Sequence, residues 1–381
     1  MFTAFALYLT FVCATLAASF QNDVGQCVVD ISDRVECGFV EAVEAACLQK
    51  GCCWDNQTEH NQLGVKCFHY GVRTAGYILQ SLDEHSEGVS GILVLKNPFL
   101  STNIYGSDIQ TLRFGAFIEA NEYAHFKITD AKSDRWEVPH SVVPRPKPCD
   151  YDGTVSTGSI ISVSAGDGEV SFKEASYEYK YTSDPFSLRI TRKSDGIELF
   201  RLDSDFIYKD QYIEFNALHP SDAVSFGVGE TVKLEQALRK HHTYTLWAAD
   251  VPALLKHANL YGSFPYYLHM FPESATSTGV LLLNSNGVEI TPREKSINTR
   301  TIGGIIDMYV FVGPSPQDIT RQYLGVVGKP NMVPFWSLGF QNCKWGYESI
   351  GEVEDVVANY SAAGIPLDTQ YFDIDYMNMV S

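Results

Sequence analysis

The sequence predicts a mostly β protein: a small disulfide-rich module, a large antiparallel β-sandwich, and then the first β-α-β unit of an incomplete (β/α)8 barrel. Three observations carry that prediction. Six cysteines crowd into residues 27 to 67, a density that marks a region too small to be held by its apolar core. From about 70 to 315 the chain runs in short alternating apolar stretches broken by turn residues, the pattern of half-buried strands. Beyond residue 334 one segment of helical period lies between two apolar runs.

The 381 residues suffice for two or three domains, and 45% hydrophobic content is ample for folded cores. A formal charge of −18 would repel a phosphate backbone, and no basic run or zinc-finger spacing overrides it, so nucleic acid is excluded as a partner. The opening MFTAFALYLTFVCATLAAS, residues 1–19, has a short apolar core followed by small residues, which predicts a cleaved signal peptide. The alternative, a membrane anchor, lacks a Lys or Arg before the stretch. No later segment is long and apolar enough to span a bilayer.

Export predicts oxidising conditions and a secreted, extracellular, lysosomal or vacuolar protein. Cys13 leaves with the signal, and only Cys149 and Cys343 lie outside the cluster, Cys343 being expected as a buried thiol. Asn56 and Asn359 sit in N-x-[ST] triplets, candidate glycan sites.

The front module, residues 25–70, has the spacing Cys27-x9-Cys37-x9-Cys47-x4-Cys52-Cys53-x13-Cys67. Six cysteines allow fifteen pairings, and spacing alone does not choose. The runs "RVECGF", "GCCWD" and "KCF", with Arg34, Gly38, Trp54 and Phe68, resemble the trefoil (P-type) domain. That resemblance implies Cys27–Cys53, Cys37–Cys52 and Cys47–Cys67. It leaves two roles open: a cleft for mucin-type glycans near Trp54, or a spacer in which Trp54 packs over the disulfides.

In the middle, residues 71–315, "SIISVSAGDGEVSFKEA", "SLRITRKSDGIELFRL" and "VLLLNSNGVEI" read as strands, with Asp195-Gly196 and Asn286-Gly287 as hairpin turns. No repeat period argues for a propeller or solenoid. The glycine-rich "SFGVGE" at 225–230 lacks the lysine of a phosphate loop and reads as a tight turn. His241-His242 has no third ligand at metal spacing and reads as a solvated or structural pair. No metal or cofactor is expected.

Ser315-Pro316-Gln317-Asp318 reads as a helix start, giving a linking helix and loop over 316–333. From 334 to 381, "FWSLGFQ" reads as a strand. In the helix that follows, Ile350, Val353, Val356, Val357, Tyr360 and Ala363 recur at helical spacing before Gly364, and "LDTQYFDIDY" reads as a second strand. Strand, helix, strand demands a parallel pair. On a strand Asp373 and Asp375 would share a face, near the barrel end where substrate is handled. Each would need a donor, cation or ligand; two structural salt bridges are the alternative.

The stretch "PFWSLGFQNCKWGYESIGEVEDVVANYSAAGIPLDTQYFDIDYM", with "FGVGE" and "LWAAD…NLYGSFPYYL", resembles glycoside hydrolase family 31, the retaining α-glucosidases, whose N-terminal sandwich is galactose-mutarotase-like. The resemblance implies that Asp373 hydrogen-bonds the hydroxyls of the non-reducing-end glucose and that Ile374 lines the same pocket. It places Trp345 on the pocket's aromatic wall and Asp250 as a sandwich-loop contact to the next sugar. Asp375 would belong to the supporting shell. The implied partners are α-glucoside oligosaccharides; other family members act on xylosides or trim N-glycans.

Retaining glycosidases need two carboxylates roughly 5 Å apart. The family's "WxDMNE" nucleophile segment is absent, "WAADVP" at 247–252 being a sandwich stretch, and the acid/base is absent too. Fewer than 50 residues follow Pro334, against about 250 for a barrel. The expectation is therefore the N-terminal portion of an α-glucosidase, breaking off early and inactive alone. The rival is a non-catalytic secreted protein whose trefoil and sandwich bind glycans or another protein.

Overall fold

A computed structural model of the chain describes residues 43–49, 52–55, 66–68, 76–85, 88–96, 105–145, 160–162, 167–220, 222–233, 235–251 and 258–377. The expected signal peptide, Asn56 and Cys149 lie outside these residues. The chain divides into two compact units between Val326 and Val327.

In the cysteine module a short helix, Glu44–Gln49, precedes an antiparallel pair, Cys53–Trp54 with Cys67–Phe68. Cys47 and Cys67 are joined, with an S–S distance of 2.07 Å, as the trefoil resemblance implies. Cys52 and Cys53 are also disulfide-bonded; their expected partners, Cys37 and Cys27, lie outside the described residues. Trp54 is half-buried against Cys47, Cys52 and Cys67.

The sandwich consists of two antiparallel sheets. One has the spatial order Val224–Thr231, Asn259–Phe271, Thr276–Leu282, Ile306–Phe311, Tyr123–Asp130, Thr111–Phe117, Gly88–Leu95, Tyr77–His85. The other runs Tyr244–Leu246, Val288–Pro292, Ser296–Thr301, Ile213–Leu218, Glu198–Leu202, Phe186–Arg192, Tyr177–Ser183, Gly168–Phe172, Ile160–Ser162, with Ile207–Tyr208 beside Ile213–Leu218. The alternation read in the sequence is the alternation of burial: every second residue of Ile213–Leu218 faces inward. Inward side chains of both sheets form one buried cluster. Phe126 meets Phe200 across it at 5.6 Å between ring centroids, and Phe114 meets Phe186 at 5.2 Å. Burying an aromatic side chain of this kind stabilises by about 1.5–3 kcal/mol.

Asp195-Gly196 is the expected hairpin turn, with Gly196 at φ +72° between paired strands. Asn286-Gly287 is not. Thr276–Leu282 belongs to one sheet and Val288–Pro292 to the other, so this stretch is a crossover. Asn284 holds it, donating to the Gly303 and Ile305 carbonyls and accepting from the Asn286 backbone and side-chain amides at 2.8 Å. "SFGVGE" is likewise no tight turn but part of strand Val224–Thr231, with register shifts on both sides of Gly229. Gly227 sits at φ +110°, where a Cβ would stand 2.6 Å from the Tyr266 carbonyl oxygen, so bulge and close approach explain the glycine.

Helix Pro316–Val327 begins as expected: the Ser315 hydroxyl accepts from the Asp318 amide at 3.1 Å while Asp318 accepts back from the Ser315 amide. It packs onto the sandwich, however, and is less a linker than a part of it. Ile319 is fully buried, and Gln322 both donates to the Gly313 carbonyl and accepts from the Gly313 amide, each at 3.0 Å.

In the second unit the expected β-α-β order is present, with shorter strands. Gln341–Asn342 pairs in parallel with Thr369–Gln370 across helix Ile350–Ala362. Most of "FWSLGFQ" is a 3-10 turn, Phe335–Leu338. Ser349 caps the helix by accepting from the Glu352 amide, and Gly364 closes it at φ +66°.

Candidate functional site

The second unit places its polar side chains around two short strands. Between them Asn342 donates to Gln370 Oε1 at 2.8 Å, and Gln370 donates to the Tyr347 hydroxyl at 3.0 Å. At the other strand residue the Tyr371 hydroxyl donates to Gln341 Oε1 at 2.6 Å. This network fixes where both strands end, and the chain leaves their C-terminal ends as two segments, 343–346 and 371–376.

Asp373 lies three residues past the strand end, not on the strand. The sequence expectation that Asp373 and Asp375 share a strand face is corrected here. Asp373 is the N-cap of a 3-10 turn, Ile374–Tyr376, and its Oδ1 accepts from the Ile374 amide at 2.8 Å. Its Oδ2 faces the Cys343 thiol at 3.8 Å. That thiol is exposed, which corrects the expectation of a buried cysteine. An ionised carboxylate has about four acceptor positions, so a half-buried Asp373 with one strong bond keeps capacity for sugar hydroxyls.

Asp375 has a different job: its Oδ2 accepts from the Gly346 amide at 2.7 Å, tying the 374–376 turn to the loop that carries Trp345. Gly346 needs φ +88° to present that amide. Trp345 is 64% exposed and Ile374 66% exposed, so both apolar faces are open beside the capped carboxylate. A carboxylate can accept from paired hydroxyls and an exposed indole can cover an apolar C–H face. Asn359 is exposed on helix Ile350–Ala362.

Asp250 belongs to the first unit, on the loop after strand Tyr244–Leu246. It is exposed and hydrogen-bonded to Tyr261, whose phenol it pushes above its ordinary range. The loop is held from beneath by Asn259, only 7% exposed. Asn259 Oδ1 accepts from the Trp247 amide at 2.7 Å, and its Nδ2 donates to the Glu230 and Gly262 carbonyls at 2.9 and 2.6 Å. Two obligate acceptors and one obligate donor leave a single orientation for the amide. Sequence reasoning did not single out Asn259, which holds the Asp250 loop, or Tyr261, which pairs with Asp250; the available signal was a polar residue opening the apolar run "NLYGSFPYYL".

A surface cleft of ≈ 410 Å³ beside Gly227, Lys233, Phe264, Tyr266 and Tyr323 contains none of these residues. His241 is exposed, 3.4 Å from Glu294, and His242 packs edge-on against Tyr244. Among the described residues no cluster could hold a metal ion, and no helix is long and apolar enough to cross a membrane.

Comparison with known proteins matches the segments in the same order. Residues 27–70 match the trefoil (P-type) domain, 104–290 the glycosyl hydrolase 31 N-terminal galactose mutarotase-like domain, and 330–381 the glycosyl hydrolases family 31 TIM-barrel domain. Alpha-xylosidase 1 of Arabidopsis thaliana is 39% identical over 82% of this chain, and lysosomal alpha-glucosidase of Mus musculus is 30% identical over 93%. The chain spans about a third of the length of these relatives, 34% of each. Among solved structures the glucosidase II alpha subunit shares the fold, with a TM-score of 0.64 at 17% identity over 80% of this chain and 40% of that one. Trefoil, mutarotase-like sandwich and the opening of the TIM barrel thus follow one another as the residues suggested, and the chain belongs to glycosyl hydrolase family 31.

Proposed function

We propose that this chain is the substrate-binding N-terminal portion of a retaining α-glucosidase that releases glucose from the non-reducing ends of maltose-like α-glucosides. The observation that carries the reading is the capped carboxylate of Asp373 beside the open Trp345 loop, at the C-terminal ends of the first barrel strands. In this reading Asp373 accepts from glucose hydroxyls and Ile374 and Trp345 cover the ring's C–H face, while Asp250, held by Asn259 and paired with Tyr261, is the sandwich's own candidate sugar contact. The nucleophile and acid/base belong to barrel segments that these 381 residues do not contain.

The Cys47–Cys67 disulfide supports an oxidising, secreted or lysosomal setting, in which exposed Asn359 is a glycan site. Trp54, packed on the cysteine cluster, favours a supporting role for the trefoil over a mucin-glycan cleft.

The test is the native protein, captured with an antibody against the sandwich. A deglycosylated mass far above 42.4 kDa with maltose hydrolysis supports the proposal; a mass at or just below that value without maltose binding refutes it. In the active native enzyme Asp373→Ala is expected to lower kcat/KM about ten- to a hundredfold, the loss of one charge-assisted hydrogen bond. Unchanged kinetics would remove Asp373 from the sugar site.

A further inference from the structure

Away from the site just described, three ionisable side chains meet with almost no solvent between neighbouring strands Tyr123–Asp130 and Ile306–Phe311 of the sandwich. His125 Nε2 faces Asp307 Oδ1 at 2.6 Å, and His125 Nδ1 faces Glu119 Oε1. Their side chains are 2%, 0% and 8% exposed. The imidazole lies flat on Tyr309, 4.2 Å between centroids with 3° between planes, and Phe117 covers it from the adjoining strand.

Every charged or titratable neighbour has a place. The Tyr309 hydroxyl donates to Glu119, and the Tyr179 hydroxyl, from the opposite sheet, donates to the His125 carbonyl at 2.9 Å. Tyr123 stands beside Tyr309, and Tyr177 donates to the Ala120 carbonyl. Arg145, itself buried, stands 3.5 Å from the second Asp307 oxygen. Arg145 and Lys127 both reach Glu137, with His140 3.9 Å from it.

Hydrogen counting decides the state of this cluster. Two ionised carboxylates can only accept, and a neutral imidazole has one N–H. A neutral ring would therefore turn a lone pair toward a carboxylate oxygen at hydrogen-bond distance, too close for a water to stand between them. Both contacts are satisfied when the cluster carries one further proton. With that proton His125 and Arg145 balance Glu119 and Asp307, and Lys127 balances Glu137. Without it a buried negative charge is left over.

We infer that Glu119–His125–Asp307 is a proton latch, which ties two neighbouring strands of one sheet and the Glu119 segment around one bound proton and makes this domain tighter in acidic surroundings than in alkaline ones. The electrostatics agree. Burial lowers the affinity of His125 for its proton, but the charge of Asp307 and the bonds to Asp307 and Glu119 outweigh it and raise the pKa. A group whose folded pKa is raised stabilises fully below its unfolded value, about 6.5 for histidine, and loses that contribution as pH rises through the folded value.

The experiment uses the full chain with 15N-labelled histidine. The ring-nitrogen titration of His125 is expected to have its midpoint above about 6.5, with both nitrogens at imidazolium positions on its acid side, and a midpoint at or below that value overturns the latch. Unfolding is then followed against pH for wild type and His125→Asn. Above pH 6.5 the wild-type unfolding constant should climb relative to the variant by up to tenfold per pH unit, one proton's worth; parallel profiles overturn the proposal. Should His125→Asn fail to fold, Glu119→Gln keeps the shape while removing one carboxylate, and it should flatten the alkaline loss. An unflattened profile overturns the latch equally.

Discussion

Replacing Asn259 by aspartate tests how the sandwich presents Asp250. The wild-type amide makes three bonds inside the loop, accepting from Trp247 and donating to the Glu230 and Gly262 carbonyls. Aspartate has almost the same shape and keeps the first bond. It loses both donors and turns a carboxylate oxygen toward two carbonyls that had been 2.9 and 2.6 Å from the amide nitrogen. Two carbonyl acceptors left unsatisfied at about 1–3 kcal/mol each place the cost at about 2–6 kcal/mol. The cost shrinks in acid, where the new carboxyl protonates and can donate once. Urea unfolding at pH 7 and pH 4 measures the stability, and hydrogen exchange at the Trp247 and Ala249 amides reports the loop. A variant within about 0.5 kcal/mol of wild type, with Trp247 exchange unchanged, would refute the idea that Asn259 carries the Asp250 loop.

Two further outcomes follow from the sandwich. Phe126→Ala empties a fully buried site against Phe200 and should destabilise by about 3–5 kcal/mol in chemical denaturation. Glu214 is half-buried, and its partial loss of water would raise its pKa, but Arg300 across the strand pair and hydrogen bonds from Tyr212 and Asn298 hold the carboxyl below its ordinary range. Its contribution is present above about pH 4.3 and is lost as pH falls through the lower folded value. Glu214→Gln should therefore flatten the acid limb of a urea-midpoint profile between pH 5 and pH 2, and an unchanged limb would discount the pairing.

Features with local causes were legible in the sequence. The hairpin at Asp195-Gly196, the cap at Ser315 and the alternation within Ile213–Leu218 each depend on residues a few positions apart. Non-local features were not. Asn286-Gly287 has hairpin chemistry, yet carbonyls at 303 and 305 captured Asn284 and sent the chain into the other sheet. "LDTQYFDIDY" alternates like a strand, but its partner offers only two paired residues, after which Asp373 bonds the amide of its own neighbour; side-chain capping won over the ladder. Spacing pointed to Asp373 without choosing between a ligand and a salt bridge, and the resemblance supplied its implied role; Trp345 was legible as a candidate through resemblance alone. His125 and Asp307 stand 182 positions apart, and no pattern in the sequence joins them.

The helix Pro316–Val327 settles where this chain can be divided. Gln322 gives and takes a hydrogen bond with Gly313, and Ile319 presses onto Gly279, where even a Cβ would come within 2.6 Å. A cut before Pro316 would strip a side of the sheet and strand both polar groups of Gly313, whereas a cut after Val327 leaves them satisfied. The twelve residues from 316 onward are thus the last piece of the sandwich, and an isolated sandwich has to carry them with it.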